Sequence, residues 1–329
     1  MHSLASARLA SLVLAALLTT LVQAQVNPAK SYPERPIHIV VGFAAGGGTD
    51  IIARTVGEML SELLNQPVVV DNKLGAAGII ASEYVARANP DGYTLFMAPS
   101  GVMVANPVIY KKLPYSPTRD FIPISMAITY PLFLVVNSSE PIQSMKELVG
   151  YIKSNPGKAN YGGSSGLFQL YLELFKLRTG TQVEFIPYKG GNSEAMRNVM
   201  AGNILMTISD ATTAIGAIKS GKVRSLAVTS PRRVPYFPDI PTMAEAGFPE
   251  MGFISWMGFF APAKTPMVIV RKLQDEINRI LKLPEFRKRM NALQVDPAGN
   301  TSEEFARVIA SEIALWSDVA KAGNIAPIN

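Results

Sequence analysis

The chain has 329 residues, a formal net charge of +6, 48% hydrophobic and 17% charged residues, and no cysteine. This is the composition of a globular chain, and it excludes disulfides, thiol nucleophiles, thiolate metal sites and a lipid-modified N-terminal cysteine. The basic residues are scattered, and the clusters Arg232-Arg233 and Arg287-Lys288-Arg289 are too short to make a nucleic-acid surface, so the charge mildly favours small anions.

Residues 1–24 have the three-part form of a secretory signal. Arg8 supplies the positive start, Leu9–Leu21 is an apolar run, and Val22-Gln23-Ala24 fits the small-residue cleavage rule. The apolar run of 13 residues is short of the ~20 that span a bilayer, so cleavage after Ala24 is the expectation. About 305 residues would remain, enough for two domains.

The patterns then alternate strand and helix. Ile37–Phe43 reads as a strand running into Ala44-Ala45-Gly46-Gly47-Gly48, and the helix that follows starts at Thr49-Asp50 and has apolar spacing over Ile51–Leu64. Pro67–Val70 is a second strand, Ala76–Ala88 a helix ended by the turn Asn89-Pro90-Asp91-Gly92, and Thr94–Met97 a third strand. Pro131–Asn137 is a long apolar strand. Ser144 and Glu147 make a capping box for a helix to about Lys153. A second glycine-rich loop, Gly162–Gly166, opens the helix Leu167–Thr179. Strand Val183–Pro187 leads to a third loop, Tyr188–Ser193, and another helix. Leu205–Ser209 is a strand ending at Asp210, and Val223–Thr229 is another. Thr242 and Glu245 form a second capping box. Trp256–Ala261 is a strand, Thr265-Pro266 a helix start, and Thr301 with Glu304 caps the last helix. The order predicts an α/β fold of mainly parallel sheets with helices on both faces.

Three loops share one layout: strand end, Gly/Ser-rich turn, helix start. Such loops gather beyond the carboxyl ends of parallel strands, and each presents backbone N–H groups at the positive end of a helix dipole, where anions bind. The candidate ligand contacts are Phe43, Ala44, Ala45, Gly46, Gly47, Thr49 and Asp50 from the first loop, and Ser100 after the third strand. Ser164, Ser165, Gly166 and Gln169 come from the second loop, Lys189, Gly190, Gly191 and Asn192 from the third. Asp210 completes the set, reading a substrate amine, hydroxyl or water, or else capping a helix. Asp50 has a similar alternative, since a carboxylate in the first turn favours the helix dipole. Asp71 and Asn72 are expected to close a turn, and His38 to pack within its strand.

Taken together, the segments VGFAAGGGTDIIAR (41–54), VVDNKLGAAG (69–78), ANPDGYTL (88–95), RDFIPI (119–124), IPYKGG (186–191), IKSGKVRSLAVTSPRR (218–233), FPDIPTMAEAGFP (237–249) and WMGFFAPAKTP (256–266) resemble the Bug family, the extracytoplasmic receptors of tripartite tricarboxylate transporters. The resemblance implies a two-lobed, type II periplasmic-binding-protein fold of the Venus-flytrap kind. Lobe 1 would comprise residues 26–131 plus 252–329, and lobe 2 residues 132–251. It implies a periplasmic protein, monomeric and without a cofactor, that closes on a small carboxylate. Integral-membrane transporter subunits, or alternatively a sensor protein, would dock on the closed form. The chain departs from the family pattern in three places, one of which is a second loop shorter than usual. Ala44-Ala45 replaces a usual proline in the first loop, and Gln169 or Leu170 stands near a usual histidine.

A dinucleotide-binding oxidoreductase is the rival reading, because Asp71 ends the second strand about where a ribose-binding acid would sit. The loop lacks the G-x-G-x-x-G order. A hydrolase triad would have to use His38, which lies in a strand body.

Overall fold

The computed structural model describes residues 32–163, 166–188 and 192–327. The expected signal segment, Ser164, Ser165, Lys189, Gly190 and Gly191 lie outside the described residues.

The chain forms two sheets, giving two lobes. The first sheet has the order β11-β4-β10-β3-β1-β2 and the second β7-β6-β8-β5-β9. In the first are β1 (Ile37–Val41), β2 (Val68–Asn72), β3 (Thr94–Pro99), β4 (Phe121–Tyr130), β10 (Ser255–Pro262) and β11 (Asp296–Pro297). In the second are β5 (Leu132–Asn137), β6 (Asn160–Gly163), β7 (Glu184–Pro187), β8 (Met206–Asp210) and β9 (Val223–Val228). Pro131 alone separates β4 from β5, so the chain passes from one sheet to the other there. It returns through β10, which pairs antiparallel with both β3 and β4.

Both sheets are mixed, which corrects the expectation of mainly parallel pairing. The βαβ units give parallel pairs, β1 with β2 and β3, and β6 with β7 and β8. The strands that link the lobes enter against that direction: β5 runs antiparallel to β8 and β9, and β10 to its two neighbours. The period reading assigns no element to β4. Pro123 lies inside it, and a proline ordinarily marks an edge or a break. Here β4 itself is bulged: Ala127, opposite Met257/Gly258 of β10, and Ile124, opposite Phe259/Phe260, are extra residues in the register, and the second bulge lies beside Pro123.

The main helices are α1 (Gly48–Leu64), α2 (Ile79–Ala86), α3 (Asn106–Ile109), α4 (Met145–Ser154), α5 (Leu167–Thr179), α6 (Asn192–Met200), α7 (Ala211–Lys219), α8 (Met267–Lys282), α9 (Pro284–Leu293) and α10 (Ser302–Ala322). Strand alternation sends side chains to two faces. Ile37, Ile39 and Val41 of β1 pack with Ile52, Val56 and Leu60 of α1 and with Val270, Leu273 and Ile277 of α8. The opposite face carries Val40 and Phe96 into a cluster that continues through Trp256, Phe260, Phe305 and Trp316 to Tyr171, Phe175, Leu132 and Leu134 of the second lobe. Phe133 and Val135 face a third cluster with Val199, Ala214 and Val228.

Local signals vary in outcome. Thr301 and Glu304 form a complete capping box on α10. Thr242 and Glu245 exchange the same reciprocal bonds, at 2.8 and 3.1 Å, but enclose a turn and no helix. Gly162 and Gly163 belong to β6 and not to a loop. A Cβ on Gly162 would lie 2.3 Å from Ile204 Cδ1 and 2.8 Å from Tyr188 Cε2, so packing accounts for that glycine. His38 is half-exposed, not packed, with Nδ1 2.8 Å from Asp71 Oδ2.

Candidate functional site

Between the lobes lies a cleft of ≈ 450 Å3, within the usual range for small-molecule sites. Its floor is the start of α1: Phe43, Gly46, Gly47, Gly48, Thr49, Ile51 and Ile52. Ile128, Tyr130 and Met257 enter from β4 and β10, and Leu293 and Val295 from the end of α9. Asp210, Ala211 and Thr212 face them from the second lobe, at the start of α7.

The first loop is shaped by its glycines and held by one buried acid. Gly46 has φ of 79°, a left-handed conformation that an L side chain seldom takes. Gly47 N–H donates to Ala44 O at 3.1 Å, closing the turn. Asp50 then reaches back: its Oδ2 accepts from Gly46 N–H at 2.8 Å and from Arg54 Nε at 2.9 Å. Its Oδ1 accepts from Asn72 Nδ2 at 2.8 Å, and the same amide donates to Phe43 O at 2.9 Å. Arg54 Nη2 donates to Asn72 Oδ1 at 3.0 Å. Asp50, Arg54 and Asn72 thus brace the loop against the end of β2. Burial would raise the Asp50 pKa, but the bonds from Arg54, Gly46 and Asn72 outweigh it and hold the carboxyl below its ordinary value.

This brace leaves the tip of α1 open. Gly47 is the N-cap and has no side chain, so no side chain caps the helix. The first-turn N–H groups lack intrahelical acceptors by the geometry of a helix start. They lie at the cleft where the helix dipole is positive, an arrangement suited to an anion.

α7 begins on the other wall with its cap in place. Asp210 Oδ1 accepts from Thr213 N–H at 3.1 Å and from the Thr212 hydroxyl. Tyr130 stands beside it: burial raises the phenol pKa, and the Asp210 charge raises it further.

Of the sequence candidates, the structure gathers Phe43, Gly46, Gly47, Thr49 and Asp210 on the cleft. Ala44 and Ala45 are exposed in the turn and do not line it. Asp50 does not line it either, because its oxygens are turned to the brace. Ser100 is fully buried and its hydroxyl has no partner among the described residues, but it too lies off the cleft wall. Gly166, at φ 84°, is the N-cap of α5; Gln169 lies on α5, and Asn192 opens α6. None of these three lines the cleft. Sequence reasoning missed Ile51, Ile52, Ile128, Tyr130, Ala211, Thr212, Met257, Leu293 and Val295. Gly48, read with its glycine run, does line the cleft; the apolar residues carry no signal beyond that of ordinary core. A second groove, ≈ 600 Å3 and lined by Arg35, Tyr84, Arg87 and Asp91, is open surface where β1 and β3 begin, away from the glycine loop. Among the described residues no cluster of acidic and histidine side chains could hold a metal.

Residues 52–325 match the Tripartite tricarboxylate transporter family receptor family. Protein BugT of Bordetella pertussis (strain Tohama I) is 35% identical over 296 residues, covering 89% of this chain and 90% of that one. The structure of R. palustris Rpa4515 with adipate superposes with a TM-score of 0.79 at 34% identity, covering 90% of this chain and 100% of that chain. MatC from Rhodopseudomonas palustris with bound malate gives a TM-score of 0.75 at 30% identity, covering 88% and 99%. The chain therefore belongs to the Bug family of tripartite tricarboxylate transporter receptors, which are substrate-binding proteins and not enzymes.

Proposed function

We propose that this protein is a periplasmic receptor that captures a small carboxylate in the inter-lobe cleft and hands it to a tripartite tricarboxylate transporter permease. The observation that carries the reading is the uncapped start of α1, held open by the Asp50 brace and facing a ≈ 450 Å3 cleft. Relatives captured with adipate and malate support a carboxylate as the ligand class. The signal-like segment ending at Ala24 would direct export, with cleavage there.

In this reading lobe 1 is residues 26–131 plus 252–329 and lobe 2 residues 132–251, hinged at Pro131 and at the entry to β10. The first-turn N–H groups of α1 take the carboxylate. Closure of the second lobe brings Asp210, Thr212 and the loops containing Ser164, Ser165 and Lys189–Gly191 over the rest of the ligand. The ligand shifts the open–closed equilibrium by its difference in affinity for the two states. The closed shape is what the permease reads. No covalent step or cofactor enters, and a single copy suffices.

The test is the melting temperature of the mature, ligand-free protein against a panel of mono-, di- and tricarboxylates and their uncharged amides, with NAD as a control. A micromolar ligand at millimolar concentration stabilises by about 4 kcal/mol, a shift of several degrees. A shift with an acid and none with its amide is expected. A shift with NAD and with no acid overturns the reading.

A further inference from the structure

In that reading the floor of the cleft takes one carboxylate, and the described walls around it bear on what the other end of the ligand can be. Those walls are aliphatic and aromatic: Ile52, Ile128, Met257, Leu293 and Val295, with the ring of Tyr130. Such surface gains by covering hydrocarbon and loses by dehydrating a charge without pairing it. Asp210 is the only charged side chain among the described residues that line the cleft. Its Oδ1 is occupied by the cap on α7, and no described residue donates to its Oδ2. The described far wall therefore carries a carboxylate, a group that accepts from a hydroxyl or amine and repels a second carboxylate.

We propose that the cleft selects a monocarboxylate with a hydrocarbon body, and that Asp210 is the specificity-determining residue that turns away dicarboxylates of the same length. This rests on the receptor reading above and sharpens it, and it sets the chain apart from the two relatives seen with the dicarboxylates adipate and malate. Rejection by an opposed like charge is a general route to specificity, because discrimination is a difference of affinities.

Hexanoate and adipate share a six-carbon chain and differ by the terminal carboxylate, so their dissociation constants, measured by calorimetry at neutral pH, isolate the effect. The wild type binds hexanoate at least about tenfold more tightly than adipate. Asp210→Asn removes the charge while keeping a side chain that caps helices equally well, so α7 stays formed. In that variant the hexanoate-to-adipate ratio falls by about tenfold. Tighter binding of adipate by the wild type overturns the proposal and leaves the receptor reading intact. An unchanged ratio in Asp210→Asn, with the variant folded by circular dichroism, also overturns it. Failure of every acid in the melting panel contradicts the receptor reading itself and takes this proposal with it.

Discussion

Two helices begin at the same cleft and treat their first turns in opposite ways. α7 starts at Asp210, whose carboxylate accepts from the Thr213 N–H and completes the helix. α1 starts at Gly47, which has no side chain to offer, while the nearest acid, Asp50, turns away to bind Gly46, Arg54 and Asn72. Both helices aim the positive end of a dipole into one space. One supplies its own anion, and in the proposed reading the other keeps its donors for an anion from outside.

The comparison breaks most sharply at Gly47. Gly47→Asp gives α1 the kind of cap that α7 already has. The new Cβ lies 3.1 Å from Ala44 O, so the turn shifts by a few tenths of an ångström. Carboxylate affinity is expected to fall about 10–100-fold, since each charge-assisted bond contributes about 1.5–3 kcal/mol. The melting temperature holds or rises, because a capping acid is at least as good as glycine there. Affinity unchanged in this variant would remove α1 from the site.

Asp50→Ala attacks the brace in place of the donors. It removes the acceptor shared by the Gly46 N–H, the Arg54 guanidinium and the Asn72 amide, at an expected cost of about 1–3 kcal/mol by chemical denaturation, with weaker carboxylate binding as well. The acid dependence has a definite sign. The Asp50 pKa is held below 3.8, so its contribution is complete above that value and is lost as pH falls through the folded-state pKa. Asp50→Ala should flatten the wild-type stability loss in that acid range.

Much of this was legible in sequence, and the boundary has a physical cause. The glycine run and the apolar spacing of α1 are local, so the loop and its helix are read directly from neighbouring residues. The role of Asp50 is not local: it depends on Asn72, which follows a helix and a strand later, and single-chain patterns carry no such contact. β4 is hidden because Pro123 lies inside a run that otherwise reads as strand. The apolar walls are hidden for another reason. Ile128, Met257, Leu293 and Val295 come from three separate segments, and an aliphatic residue facing a ligand looks the same in sequence as one facing the core. The second and third loops were singled out by their glycines, yet packing against Ile204 and Tyr188 explains Gly162.

On the capped side, Asp210→Ala should cost about 0.5–2 kcal/mol in chemical denaturation, the usual loss of an N-cap, and Gly47→Ala less, because no side-chain bond is lost there. Equal costs at the two positions would erase the contrast between the helices.

The smallest expected effect is a slope. Burial raises the Glu312 pKa from 4.5 to about 8, although the Trp256 indole N–H, 3.0 Å from its Oε2, opposes the shift. The folded state then holds a proton that the unfolded chain releases, so stability falls as pH rises from 4.5 to about 8. Glu312→Gln should flatten the melting temperature across that window. This carboxyl serves no helix start, so its titration separates the crossover strand β10 from the two capped and uncapped ends.

The most direct measurement is an amide nitrogen–proton spectrum of the isotope-labelled mature protein, titrated with a carboxylate identified by the melting panel. The account predicts that the largest shifts fall on the backbone amides of Gly48, Thr49 and Asp50, with Thr213 moving little because Asp210 already occupies it. Largest shifts in the groove of Arg35, Tyr84 and Arg87, with the α1 amides unmoved, would contradict it.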